Sequence, residues 1–240
     1  MGYSFYETMD KKEIKKEGLS EYFLYSIEGT ETIPNGWGKR LESFAAEDIP
    51  VESLYKFDRK RWGNDARNFL TFANDEDHKL GETPIPDGKM RIYRQADGQG
   101  RLSYVGGCDI KYIPVNEDVE LDLGPARQVK VEPVLMEYAT SDYDFGRQGY
   151  IAGWSETNAW TVKLTNARPL PVKVCFEHAM DSPNWRLTDK QGDADYEAWD
   201  ATHLRFTQTI APRTQDKLSF TTKEFFGTQM DLARQKETDQ

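Results

Sequence analysis

Apolar residues at every second position are the feature that most constrains what this chain can fold into. Val119, Leu121 and Leu123 alternate with Glu120 and Asp122. The same period of two recurs in segments 51–59, 127–136, 160–165 and 172–176. Because successive side chains of a β-strand point to opposite faces, this period predicts sheets with one buried face. The 3.6-residue period of an amphipathic helix is almost absent.

Turn-forming residues separate these segments at intervals of roughly ten residues, as in β-sandwich proteins. We predict an all-β chain of two antiparallel β domains, the C-terminal one an immunoglobulin-like β-sandwich. The linker is assigned where "EYATSDYDFGRQ" loses strict alternation. The predicted parts are a polar lead-in with helix-forming residues (1–18), the N-terminal antiparallel β domain (19–136), the linker (137–148), the immunoglobulin-like sandwich (149–227) and a polar tail (228–240).

The segment "LGETPIPDGKMRIY" (80–93) places two prolines and two glycines just before a strand-like run. Pro84 and Pro86 fix φ and favour extended geometry in the residues before them. The segment contains no nucleophile or base, so we interpret it as a rigid corner in which Gly88 takes positive φ. On this interpretation, Gly88→Val lowers the stability by about 1 kcal/mol or more.

The overall charge and composition exclude several classes of protein. The 240 residues include 31 basic and 41 acidic side chains, a formal net charge of −10, which argues against binding to nucleic acid. The 12% aromatic content is typical of a folded, β-rich chain and not of a disordered one. No apolar run approaches the roughly 20 residues that span a bilayer, and the N-terminal 18 residues lack the apolar core of a signal peptide.

The sequence shows no familiar catalytic or cofactor motif. His78, His178 and His203 have no metal-ligand spacing on a helix, and the sequence contains no GxSxG, HExxH, GxxxxGK[ST] or CxxC motif. We therefore predict no catalytic residue, no metal and no cofactor. Cys108 and Cys175 lie in different halves, so two free thiols are favoured over a single bridge.

Acidic residues offer two weaker alternatives. In "DKQGDADYEAWD" (189–200), Asp193, Asp195 and Glu197 alternate as calcium ligands can. The order of an EF-hand is not matched, so a solvated turn is favoured over a cation site. A hydrolase with two catalytic carboxylates is a further alternative, but nothing in the sequence singles out one pair.

Tryptophans in turns are the candidate contacts to a ligand or partner. Trp37, Trp62 and Trp185 each lie in or beside a turn, where an exposed indole can stack on a sugar or anchor a protein partner. The alternative, which we favour for each one, is an indole folded back over the core. The tryptophans within strand-like segments are expected in the core: Trp154, Trp160 and Trp199.

Several segments together resemble a bacterial family catalogued as domain of unknown function 4139, which also forms the C-terminal part of proteins related to mucoidy inhibitor A. They are "LSEYFLYSIEGTETIPNGWGKRL", "VESLYKF", the run that begins "PIPDGKMRIYRQADGQGRLSYVGG", "AWTVKLTNARPLPVKV" and "DYEAWDATHLRFTQTIAP". Their order and spacing agree from about residue 19 to 227. The chain departs from the family at "GGCDIKYI", where family members are more polar and carry His-Thr before the proline.

The resemblance implies an all-β, two-part architecture in a periplasmic or cell-surface setting, and it implies no activity. We therefore expect a non-enzymatic interaction or scaffold module of the bacterial cell envelope, one component of a larger assembly with a protein partner. A carbohydrate-binding module that uses the turn tryptophans is the first alternative, and a carboxylate hydrolase is the second. The identity of the partner and the oligomeric state are left open.

Overall fold

The computed structural model describes residues 14–19, 22–27, 29–30, 32–38, 45–95 and 100–231. The chain divides into two compact units, Met1–Asp48 and Ile49–Gln240. In the first unit, β1 (Ile14–Leu19) pairs antiparallel with β2 (Tyr22–Ile27). The end of the predicted polar lead-in is therefore a strand and not a helix, and the lead-in before residue 14 lies outside the described residues.

Strands dominate the second unit, which confirms the predicted all-β class. Its elements in chain order are β3 (Glu52–Asp58), α1 (Arg59–Trp62), β4 (Arg67–Ala73), β5 (Gly88–Gln95), β6 (Leu102–Ile110), β7 (Asp118–Pro125), β8 (Val129–Phe145), β9 (Ile151–Asn166), β10 (Val172–Ala179), β11 (Trp185–Gln191), β12 (Asp195–Asp200), β13 (His203–Ile210) and β14 (Thr214–Gly227). Within the described residues, no helix is long and apolar enough to cross a membrane. Of the predicted polar tail, residues 232–240 lie outside the described part.

The strands of the second unit form three sheets. One sheet has six strands in the order β12-β13-β10-β3-β4-β7, another has four in the order β11-β14-β9-β8, and β5 pairs with β6. The β3–β10 pair is parallel, whereas the other strand pairs that the structure describes are antiparallel. The parallel pair places β3, from the predicted N-terminal domain, beside β10, from the predicted C-terminal sandwich. One sheet thus contains strands from both predicted domains.

The main core lies between the six-stranded and four-stranded sheets. Phe57, Phe176 and Phe206 on the first sheet are almost fully buried, as are Val162 and Phe220 on the second. The rings of Phe206 and Phe220 approach to 4.7 Å between centroids, so the two inner faces are in direct contact. Two sheets packed in this way form a β-sandwich. The finer assignment of residues 149–227 as immunoglobulin-like stays a prediction.

The predicted linker at residues 137–148 falls largely within β8, which extends to Phe145. Alternation disappears there for a physical reason: residues 134–140 are exposed on both faces of the strand, so neither face selects apolar residues. Register shifts between Leu135 and Glu137 and between Ser141 and Asp144 interrupt the period further. A long strand that leaves the core therefore resembles a linker in sequence.

The proline-rich corner forms part of a second, smaller apolar cluster. Ile85 and Ile113 exchange backbone hydrogen bonds of 3.0 and 2.9 Å and are both buried with Val119 and Leu121. Met90 and Ile92 of β5 pack against this group. The corner therefore anchors the β5–β6 hairpin on the sheet.

The prediction of positive φ at Gly88 is wrong. Gly88 opens β5 as an ordinary strand residue, it is not among the residues with positive φ, and no atom lies within 4 Å of the position that a Cβ would occupy. The strained position is Gly81, with φ of +88°, where a Cβ would lie 2.8 Å from the backbone carbon of Asp75. Without positive φ or a steric neighbour at Gly88, the basis for a loss of stability in Gly88→Val is removed.

Candidate functional site

Strand β8 forms one edge of the four-stranded sheet. It pairs with β9 on one side, and no described strand pairs with its other side. An edge strand presents backbone N–H and C=O groups that another chain can pair with. Pro133 lies within β8, which fits an edge because proline cannot donate to a neighbouring strand.

Large apolar side chains are exposed along this edge and its adjoining turn. The group, which we name the apolar edge surface, comprises Val134, Leu135, Met136, Tyr138, Tyr143, Phe145, Tyr150 and Ile151. Met136 is 65% exposed and Phe145 63%, whereas Val129 and Val131 at the start of the same strand are buried. The strand therefore passes from the core into solvent while remaining rich in apolar residues. Exposed large apolar side chains grouped on one strand and its adjoining turn are a feature of interaction sites.

Polar contacts hold the exposed part of β8 against its neighbours. The carboxylate of Asp142 accepts a hydrogen bond of 2.5 Å from Ser155 and pairs with the Lys223 ammonium at 2.6 Å. The contact with Lys223, followed by that with Ser155, lowers the pKa of Asp142 to about 2. Asp144 accepts a hydrogen bond of 2.6 Å from the Thr228 hydroxyl. These contacts attach the exposed part of β8 to β9 and to the end of β14.

The three turn tryptophans have different surroundings. Trp37, in the first unit, is 75% exposed, and its backbone N–H donates to the Pro34 carbonyl at 3.0 Å. Trp62 is half-buried against Phe69, with ring centroids 5.7 Å apart. Trp185 packs against the main core, and its indole N–H donates to a backbone carbonyl at 2.9 Å. Two of the three candidate contacts therefore have packing partners within the fold, and Trp37 presents its indole to solvent.

The expectation of a core position is wrong for Trp199. Its side chain is 57% exposed, and the Arg205 guanidinium lies 3.3 Å from the ring centroid. The reason is its location on β12, the edge of the six-stranded sheet, where every residue is exposed. Trp160 packs against the main core, and Trp154 stacks on Phe226 with centroids 5.1 Å apart.

The acidic turn and the cysteines show no assembled site. Asp195 and Glu197 lie on exposed β12, and the described residues contain no group of three or more His, Cys, Asp or Glu that could hold a metal ion. Cys108 and Cys175 are both free. Burial is the main cause that raises the pKa of the Cys175 thiol to about 11, and it also raises the pKa of Cys108.

A cleft of about 200 Å³ contains the nearest approach to a catalytic arrangement, with His178 and Glu224 in its lining. Burial lowers the pKa of His178 to about 4, and its ring contacts Trp160 at 4.8 Å between centroids. Glu224 is buried and accepts backbone hydrogen bonds of 2.7 and 3.0 Å from Asp181 and Ser182. Its carboxylate therefore holds the backbone of residues 181–182 in place.

The fold defines an all-β protein with a sandwich core, in which the outer edge of apolar strand β8 pairs with no described strand. Comparison with family models, with curated proteins and with solved structures found no match to this chain. The family resemblance seen in the sequence therefore stays a prediction. Sequence reasoning missed the apolar edge surface, although the consecutive apolar residues Val134-Leu135-Met136 break the alternation and mark it.

Proposed function

We propose that this chain is a non-enzymatic interaction module that binds an extended strand of a partner protein along β8. The observation that carries the proposal is the unpaired edge of β8, where apolar side chains are exposed on both faces of the strand. In strand addition, backbone hydrogen bonds supply affinity and alternate side chains supply specificity. Both elements are available on this edge.

The dimensions and composition of the apolar edge surface suit a protein partner. Residues 134–145 extend roughly 40 Å at about 3.3 Å per residue, long enough to align with a complete partner strand. Tyr138, Tyr143, Phe145 and Tyr150 are all exposed, and aromatic residues are enriched in the cores of protein interfaces. A partner strand added at this edge would place its own alternating side chains beside them on both faces of the sheet.

The polar contacts of Asp142 and Asp144 support the same proposal. They join the exposed part of β8 to β9 and to the end of β14, so binding does not have to order this segment. A surface that is already in its bound geometry loses less conformational entropy on association, which favours affinity. The exposed part of β8 is thus ordered before it binds a partner strand.

The proposal extends to the setting of the protein. We place the module in the periplasm or at the cell surface of a bacterium, as one component of a larger assembly. The family resemblance of residues 19–227 is the support for this location. The strand partner is then another component of the cell envelope.

A carbohydrate-binding function is the second candidate, and one observation favours it. The indole of Trp37 is 75% exposed, which is unusual for so large an apolar ring and suits stacking on a sugar. A glycan array with the wild type and with Trp37→Ala tests this candidate. Loss of an array signal in Trp37→Ala supports it, and an unchanged signal removes the stacking mechanism.

Site-specific photo-crosslinking tests the strand-addition proposal with a matched control. A benzophenone amino acid replaces Tyr138 on β8 in one variant and Tyr196 on β12 in the other. The two tyrosines are 55% and 56% exposed, and both lie on edge strands. They are therefore matched in exposure and differ in which sheet edge the crosslinker probes. Crosslinking is carried out in intact source cells, and the adducts are identified by mass spectrometry.

We expect a discrete adduct from position 138 that is absent from position 196. Introducing Leu135→Lys, which places a charge within the apolar edge surface, should abolish that adduct. Equal adducts from both positions, or an adduct that survives Leu135→Lys, would contradict the proposal. Light scattering on the purified protein distinguishes a different partner protein from a second copy of this chain. An adduct of the chain with itself, together with a dimeric mass, would mean that β8 binds a second copy.

A further inference from the structure

A pocket of about 360 Å³ lies where the turns after β7 and β9 meet the β5–β6 hairpin. Three arginines line it: Arg94, Arg127 and Arg168. None of the described residues that line this pocket is acidic. In a chain with a formal charge of −10, three guanidinium groups without a lining carboxylate create a local positive field. We name this feature the arginine pocket.

The fold brings two of these arginines together through a specific contact between turns. The Ala167 N–H donates to the Gln128 carbonyl at 2.8 Å, which joins the turn that carries Arg127 to the turn that carries Arg168. The side chain of Asn166, which is almost fully buried, donates to the carbonyl of Leu170 within the second turn and to that of Ala211 in the turn between β13 and β14. The positions of both arginines are therefore set by the backbone of the sandwich and not by mobile loops.

The Arg168 guanidinium is also held in place. It donates a hydrogen bond to the Tyr55 hydroxyl and lies 5.7 Å from the centre of the same ring. Tyr55 is a buried residue of β3. A guanidinium fixed on an aromatic ring retains donors for a ligand and loses little freedom when it binds one.

Two acidic residues of β7 are paired with cations that do not line the pocket. On β7, Asp122 accepts two hydrogen bonds of 3.1 and 2.9 Å from Arg67, and Glu120 pairs with Lys56. The side chains of Arg94 and Arg127 form no ion pair within the part of the chain that the structure describes. Both arginines therefore reach the pocket without a carboxylate partner among the described residues.

The remaining wall of the pocket is partly apolar. Asn68 contributes a polar side chain to the lining. Val105 and Leu123 add apolar surface.

We propose that the arginine pocket binds a small oxyanionic ligand, in which a phosphate or carboxylate group is held by Arg94, Arg127 and Arg168. Guanidinium groups form paired, charge-assisted hydrogen bonds with the oxygens of either anion. This site is separate in kind from strand addition on β8 and does not depend on it.

Titration of the whole isotope-labelled chain, followed by amide chemical shifts, tests the proposal. The probes are sodium phosphate and sodium succinate, and sodium chloride at the same ionic strength is the reference. We expect at least one of the two oxyanions to give saturable shifts at the backbone amides of residues 127 and 168, and chloride to give none. A response to phosphate alone identifies a phosphate ligand, and a response to succinate alone identifies a carboxylate.

Two matched variants locate the binding. Arg127→Gln removes an exposed arginine of the pocket and should weaken binding about tenfold or more, as loss of a charge-assisted hydrogen bond predicts. Arg147→Gln makes the same charge change in the exposed turn between β8 and β9 and should leave the affinity within about twofold. The absence of a saturable response to both oxyanions would overturn the proposal, as would equal weakening by the two variants.

Discussion

Replacing Gly81 by alanine tests the account of the proline-rich corner. Gly81 has φ of +88°, a conformation that costs an L-residue about 1 kcal/mol or more. The added Cβ would also lie 2.8 Å and 2.9 Å from two backbone atoms of Asp75, closer than such atoms approach. Because backbone cannot move aside as a flexible side chain can, this turn must shift.

The shift would disturb a buried hydrogen-bond network. The Gly81 N–H donates to the side-chain oxygen of Asn74 at 3.0 Å, and the Asn74 amide donates to the carbonyls of Thr83 and Pro114. Asn74 is fully buried, so a lost partner leaves a polar atom without water to replace it. Together with the positive φ, we expect Gly81→Ala to lower the free energy of unfolding by about 2–4 kcal/mol.

Thermal and urea unfolding measured by circular dichroism provide the assay. For a unit of this size the expected loss corresponds to a decrease in Tm of roughly 5–15 °C. Gly88→Ala is the control, because Gly88 has no atom within 4 Å of a Cβ and does not have positive φ. That variant should change the free energy of unfolding by less than about 1 kcal/mol. Equal effects of the two substitutions would refute the reasoning.

Three further predictions concern buried ionisable groups. Arg205 pairs with Glu177 at 2.7 Å in a mostly buried setting, so Arg205→Met alone should lower the free energy of unfolding in urea by about 3–5 kcal/mol. Adding Glu177→Leu should recover much of that loss, because it removes the buried charge left without a partner. Additive losses from the two substitutions would contradict this prediction. His178 has a folded-state pKa lowered to about 4 from 6.5, so the unfolded chain binds more protons between these values. Its contribution to stability is present above pH 6.5 and lost as the pH falls towards 4, and His178→Phe should flatten that part of the stability–pH curve. Buried Cys175, with its raised pKa, should react with a thiol reagent more slowly than the partly exposed Cys108; equal rates would contradict its burial.

The sequence predicted the class of fold because alternation is a local property. A buried strand face selects apolar residues at every second position, as at Val162 and Leu164, wherever the strand sits in a sheet. The choice of partner strand is not local. Lys173 pairs in parallel with Leu54, far away along the chain, and nothing in either segment specifies the other. The division into two β domains therefore followed chain order, whereas the six-stranded sheet joins both.

The same distinction explains which site residues sequence reasoning found. The turn tryptophans were each chosen from their local sequence, yet Trp62 and Trp185 have packing partners that only the folded chain supplies. Tyr138, Tyr143 and Phe145 of the apolar edge surface fall within the predicted linker, because β8 leaves the core there and loses its alternation. Arg94, Arg127 and Arg168 lie in three separate segments, and the turn-to-turn contacts that bring them to one pocket have no pattern in the sequence.

Hydrogen exchange along β8 is the measurement that tests the central claim most directly. The protein is compared free and bound to the partner that crosslinks at position 138, with exchange followed by mass spectrometry. Strand addition predicts new protection of amides in residues 134–145 on binding and no change in β12, the edge of the other sheet. Unchanged exchange along β8 in the complex, or protection confined to β12, would contradict the claim that β8 is the binding edge.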